Sequence, residues 1–223
     1  MSVKLFVGAI LKFLRGGLLV GLLIFLPAGT FAFFGGWLLM GILFIPMFGT
    51  GIVMMVKNPA LLARRLDAKE KLGEQRLVVK LSGLMLIAGF VLAGLNFRFG
   101  WYTLPRAVSL GAAAVFLFAY VLYAEVLREN TYLSRTIRVE EGQRVIDTGL
   151  YGIVRHPMYS ATLLLFLSIP LVLGSLYALP VFLAYPFIIA ARIKSEETLL
   201  EKELAGYSDY MKKVKYRLIP LIW

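Results

Sequence analysis

The apolar and polar positions of this chain fall into long blocks rather than the short alternations of a soluble fold. Residues 16–56 carry no charged side chain. A membrane helix rises 1.5 Å per residue and needs about 20 apolar residues, so this stretch predicts two spans. Gly35-Gly36, with Pro27 and Gly29 nearby, predict the break between them. Further apolar runs cover about 78–97, 107–124, 157–174 and 176–193. The last two are short and joined by little more than Gly174-Ser175, which predicts a tight hairpin. The expected architecture is all-α: one polytopic membrane domain, 1–223, of about six spans. Residues 1–127 would form N-terminal transmembrane helices. Residues 128–223 would form a separate functional region with a C-terminal helical hairpin. No internal repeat or low-complexity tract interrupts the pattern.

Charge orients these blocks. Lys4, Lys12 and Arg15 precede the first span, and the 57–80 connection is rich in Lys and Arg. The 98–106 connection holds only Arg98 and Arg106. The 128–155 connection is basic again, with Arg128, Arg135, Arg138, Arg144 and Arg155, and so is the tail from Arg192 onward. Basic residues mark cytosolic loops, so this alternation predicts both termini in the cytosol. The basic start is followed by no convincing cleavage site, which predicts a retained helix rather than a removed leader.

Composition agrees: 60% of residues are hydrophobic and 17% charged, against about a quarter charged in a soluble domain. The net charge of +11 reads as contact with anionic membrane lipid. Nucleic acid is not expected, because no aromatic-basic surface module accompanies the charge. The absence of cysteine excludes disulfides, thiolate metal sites and cysteine nucleophiles. With a single histidine as well, no metal site is expected.

That histidine lies in Arg155-His156-Pro157-Met158-Tyr159, where a polar loop runs into an apolar segment. About forty residues later come Glu196-Glu197, near the far end of the next apolar segment. Polar groups at the mouth of a membrane hairpin are costly, which marks them for function. Gly149 and Gly152 allow close backbone approach. Tyr151 and Tyr159 bring flat faces with a polar tip. Arg155 suits a carboxylate, and His156 can donate or accept near neutral pH. Pro157 suits a first helical turn. Such a set would serve a small polar ligand with an aromatic base, hydroxyls and a carboxylate. Each piece also has a plain structural reading: the histidine as a helix cap, the basic loop as a headgroup contact, the acidic pair as a solvated helix end.

Taken together, Gly149-Leu150-Tyr151, Val154 through Tyr159, the apolar hairpin and Glu196-Glu197 with Leu200 resemble the isoprenylcysteine carboxyl methyltransferase and phospholipid methyltransferase superfamily. The ending, Glu203-Leu204-Ala205-Gly206-Tyr207 with Tyr210 and then Tyr216-Arg217-Leu218-Ile219-Pro220, is similar too. The resemblance covers about residues 125–223. It implies an S-adenosylmethionine-dependent methyltransferase whose cofactor binds at the cytosolic end of the hairpin. It implies a lipophilic acceptor that reaches the methyl group from the bilayer. By matching position, Gly149, Tyr151, His156, Pro157, Tyr159, Glu196 and Glu197 would bind cofactor, and Arg155, His156 and Glu196 would be catalytic. Two departures stand out. Leu150 stands where the family often has proline, and Ala161 stands where it often has glycine, which would narrow the cleft.

For a carboxylate acceptor no base is needed, whereas an amine acceptor must lose a proton to His156 or a glutamate. A short chain without added domains points to a prokaryotic cytoplasmic membrane and to a lipid, lipid-linked or small hydrophobic acceptor. Two other readings stay open: a related membrane reductase of the sterol type using a nicotinamide cofactor, and a non-enzymatic protein whose loop binds lipid or a partner. Between the two glutamates, Glu196 lies four residues from Arg192, within reach of a helical ion pair. That spacing predicts Glu197 as the cofactor ligand.

Overall fold

The structure is a computed structural model that describes residues 3–66, 73–134, 139 and 141–223. Lys69, Lys71, Arg135 and Arg138, and the side chain of Lys4, lie outside the described residues. The charge-free stretch forms α1 (Val3–Ala28) and α2 (Phe34–Lys57). A short amphipathic helix follows, α3 (Pro59–Leu66), and then two more long helices, α4 (Gly73–Arg98) and α5 (Arg106–Glu129). Of these, α1, α2, α4 and α5 are long and apolar enough to cross a membrane. The C-terminal region contains α6 (Pro157–Val172), α7 (Leu179–Phe182), α8 (Tyr185–Glu203) and α9 (Tyr207–Lys213).

Two details differ from the sequence expectation. The α1–α2 break falls at residues 29–33, with Gly29 at φ +69°, and not at Gly35-Gly36. That glycine pair lies inside α2 because it is needed for contact. A Cβ on Gly35 would lie 3.0 Å from the Val172 carbonyl oxygen, and one on Gly36 would lie 2.9 Å from Phe25. The second difference is the hairpin. Helix α6 has 16 residues, about 24 Å, which is short of a full crossing. Its return is split into α7 and α8, each carrying proline in its first turn, Pro180 and Pro186. Proline removes a helical N–H and clashes with the preceding turn, so the return restarts instead of running straight.

The helices pack most extensively as α5 on α6 and α1 on α4, with α4 also meeting α7 and α8. Gly94 lets α1 close on α4: a Cβ there would lie 2.7 Å from the Ile24 carbonyl oxygen. Small residues at such crossings substitute tight packing for the hydrophobic effect, which is weak between helices in lipid. Phe116, Phe182, Ile24, Leu39 and Ile193 are fully buried. Leu26, Ile45, Val56, Val121 and Phe187 project outward, as lipid-facing side chains do.

The two ends of the bundle differ in chemistry. At one end Leu104 N–H donates to the Gly174 carbonyl (2.9 Å) and Thr103 bridges to Ser175. This end carries Arg98 and Arg106 and the aromatic side chains Phe31, Trp37, Phe99, Trp101 and Tyr177, a composition typical of a membrane–water interface. At the other end the basic connections meet. Lys12 Nζ donates to the Leu66 carbonyl at 2.5 Å, and Arg64 donates to the Thr131 carbonyl at 2.7 Å. There the chain also folds residues 214–218 back onto the start of α6.

Candidate functional site

The site forms where α6 begins. His156 precedes the helix in a non-helical conformation (φ −126°, ψ 60°), and Pro157 opens the first turn. Arg155 N–H donates to the Tyr216 carbonyl and His156 N–H to the Arg217 carbonyl, both at 2.9 Å. The Ser160 hydroxyl donates to the Leu218 carbonyl at 2.5 Å. Residues 214–218 thus act as a strap that satisfies backbone donors a helix start leaves open.

Under this strap lies a buried ionic cluster. Glu197 Oε1 accepts from Arg155 Nε at 2.7 Å and faces His156 Nε2 at 3.2 Å, while Oε2 accepts from Arg217 Nε at 2.7 Å. Arg155 also donates through Nη1 to the Val214 and Lys215 carbonyls, at 2.7 and 2.9 Å. Glu197 is only 4% exposed. Burial works to raise its pKa, but hydrogen bonds from His156, Arg155 and Arg217 outweigh it and hold the carboxyl at about 2.

Beside the cluster opens a cavity of about 820 Å³, counting its open mouth. One wall comes from residues 130–134 and 143–146, another from Tyr151 and residues between Arg155 and Tyr159, and the third from α8 and α9. Arg155, His156, Tyr151, Tyr159 and Glu196 line it. Gly149, Pro157 and Glu197 are not among the lining residues.

Each of these three instead holds a neighbour in place. Gly149 begins a 3-10 turn, Gly149–Gly152, at φ +49°, where a Cβ would lie 2.3 Å from Glu129 Oε1. The Glu129 carboxylate accepts from the Thr148 hydroxyl (2.8 Å) and from Leu150 N–H (3.3 Å), so the turn closes on it. The turn presents Tyr151, whose hydroxyl accepts from Asn130 Nδ2 at 3.0 Å and whose carbonyl accepts from the Tyr210 hydroxyl at 2.7 Å. Pro157 is buried at the helix start. Ala161 is fully buried and is not among the lining residues, so its methyl does not narrow the cleft.

The two glutamates exchange the places expected of them. The helix turns about 100° between them. Glu197 therefore faces the strap and Glu196 the cavity. The Glu196–Arg192 contact runs through a third group: Arg192 Nε donates to the Tyr159 hydroxyl at 2.9 Å, and that hydroxyl donates to Glu196 Oε2 at 2.5 Å. Sequence reasoning gave no role to Glu129, Arg217 or Tyr207. Arg217 stands in the ending that resembles the family, but no role follows for it until the strap places it against Glu197. Tyr207 lines the cavity, 4% exposed, and its hydroxyl has no hydrogen-bond partner among the described residues.

A carboxylate, several aromatic faces and a buried hydroxyl without a partner among the described residues give the cavity a lining suited to a small polar ligand. Comparison with known proteins bears on its kind. The chain is similar to the Delta(14)-sterol reductase TM7SF2 of Mus musculus, 31% identical over 91 residues, or 40% of this chain and 22% of that protein. It is similar to a Delta(14)-sterol reductase of Arabidopsis thaliana, 26% identical over 163 residues, or 63% of this chain and 43% of that one. It thus spans less than half the length of these relatives. The family model described as phospholipid methyltransferase matches residues 106–205, from the start of α5 to just past α8, and so contains most of the cavity. That segment is therefore similar to phospholipid methyltransferases, in line with the motifs it carries.

Proposed function

We propose that this protein transfers a methyl group from S-adenosylmethionine to a lipid, lipid-linked or small hydrophobic acceptor at the membrane. The observation that carries the reading is the cavity itself. It sits at the basic end of an apolar bundle, inside the matched domain, with Glu196, His156, Tyr151 and Tyr159 on its walls. The bound cofactor would supply a methyl group already attached to a good leaving group. The protein's own residues then have to align the partners and keep water out. Tyr151 and Tyr159 offer flat walls, and Glu196 offers carboxylate oxygens to ligand hydroxyl or amino groups. Glu197 fixes the His156 ring through Nε2, which leaves Nδ1 to take a proton from an amine acceptor. Gly149, Pro157 and the Arg155–Glu197 pair position these groups.

The test is direct. Detergent-purified protein is expected to bind S-adenosylmethionine or its demethylated product saturably, at micromolar to millimolar concentration, the common range for enzyme substrates. Incubation with a labelled methyl donor and a membrane lipid extract should yield a labelled lipid identifiable by mass. The resemblance to sterol reductases supplies a second reading. Saturable binding of reduced nicotinamide dinucleotide, with no binding of the sulfonium cofactor to folded protein, would replace the methyltransferase reading by that one.

The charge asymmetry supports a cavity on the cytosolic side of the membrane, with its basic rim against anionic lipid. The chain has no cysteine, so single ones can be introduced freely. An impermeant thiol reagent added outside intact cells should label Tyr102→Cys and miss Glu141→Cys. Labelling of position 141 and not 102 would turn the site to the other face.

A further inference from the structure

Gly206 adopts φ +83° and reverses the chain between α8 and α9. The reversal brings Tyr207 and Tyr210, one helical turn apart, onto the same wall as Glu196. The two tyrosines fare differently. Tyr210 donates its hydroxyl to the Tyr151 carbonyl. The Tyr207 hydroxyl is equally buried, yet it meets no acceptor among the described residues. Buried hydroxyls are nearly always paired, and leaving one unpaired is costly. Burial first, then the nearby Glu197 and Glu196 carboxylates, push its pKa far above the usual phenol range, so it stays a neutral O–H donor.

The group that would satisfy it must also suit Glu196. Carboxylate Oε2 already accepts from Tyr159, but a carboxylate offers about four lone-pair positions. An anionic ligand group next to Glu196 would be repelled. A ligand hydroxyl would not, because it can donate to the carboxylate and accept from a phenol at once. We propose that Tyr207 is a ligand-contacting residue, whose hydroxyl and Glu196 together grip one hydroxyl of the ligand's sugar. This rests on the methyltransferase reading, in which that sugar is the ribose of S-adenosylmethionine.

The experiment compares the full chain with Tyr207→Phe, using S-adenosylhomocysteine and its 2′-deoxy and 3′-deoxy analogues as probes. Phenylalanine keeps the ring and removes only a hydroxyl with no partner among the described residues, so the thermal midpoint without ligand should stay the same or rise. Affinity for S-adenosylhomocysteine should fall about tenfold, the usual worth of one buried hydrogen bond. One deoxy analogue should bind the wild-type protein about tenfold more weakly, and that discrimination should vanish in the variant. A lowered midpoint with unchanged affinity would make Tyr207 a packing residue and overturn the inference, as would unchanged affinity together with retained discrimination. Wild-type protein that binds neither the cofactor nor its product would instead overturn the methyltransferase reading, and the inference with it.

Discussion

Glu197→Gln is expected to destabilise the protein without ligand by about 3 kcal/mol or more, the range seen when one member of a buried ion pair is removed. The neutral amide leaves Arg155 and Arg217 facing each other without a counter-charge, and it turns an N–H toward at least one donor that Glu197 now satisfies. Glu196→Gln should behave differently. Its carboxylate holds one hydroxyl and faces the cavity. Its loss should cost under about 1 kcal/mol of stability and about tenfold in cofactor affinity. The pair therefore separates into a residue that holds the site together and a residue that meets the ligand. Thermal midpoints and calorimetric titration of both variants, side by side, check this. Equal stability loss in both would show that the cluster under the strap has no special role.

The same carboxylate gives the protein an acid limit. Glu197 lies in the polar extension of α8, beyond its apolar half, and its pKa falls from the ordinary 4.5 to about 2 on folding. A carboxyl lowered on folding adds stability in full above its unfolded value, and loses it as pH falls through the folded one. Here the window runs from about 4.5 down to about 2, and the drop corresponds to roughly 3 kcal/mol. Thermal midpoints recorded from pH 6 to pH 3 should fall more steeply for the wild type than for Glu197→Gln. Parallel profiles would show that another group sets the acid limit.

The long helices were legible in the chain because length and charge alone decide them. A stretch of forty residues without a charge has few options other than two spans, and α1 and α2 follow from it. Which charged connections share an end was legible for the same reason. The site was legible in its residue types but not in its orientation. Whether Glu196 or Glu197 faces inward depends on the rotation of α8 about its axis. The contacts that fix it come from Arg155 and His156 at the start of α6 and from Arg217, twenty residues later and past another helix. An i to i+4 spacing to Arg192 pointed the wrong way, because Tyr159 from α6 stands between the two side chains. Glu129 was hidden for a related reason. It sits next to Arg128 at the end of α5 and reads as a solvated helix end, yet its carboxylate closes the turn at Gly149.

Deleting residues 214–223 should remove ligand binding altogether. The deletion takes away the carbonyls that receive Arg155 N–H, His156 N–H and the Arg155 guanidinium, and with them the Arg217 partner of Glu197. Each buried group left unpaired costs about 1–3 kcal/mol, more for charged ones. Several together approach the total stability of a folded domain, about 5–15 kcal/mol. The start of α6 should therefore open, while α1, α2, α4 and α5 keep their helical signal, because α1 packs directly on α4 and α2 packs directly on α1 and α5. A shorter deletion, residues 219–223, provides the contrast. It spares every strap carbonyl. It removes the terminal turn, with its bonds between residues 218–219 and 222–223, the stacking of Arg217 over Trp223 at 5.5 Å and the packing of Trp223 on the core. That variant should keep binding within about tenfold of the full chain. Limited proteolysis near residues 149–156, read together with calorimetry, distinguishes the two cases. If the longer deletion binds as the full chain does, the strap is dispensable, and the burial of Glu197 must be held by α6 and α8 alone.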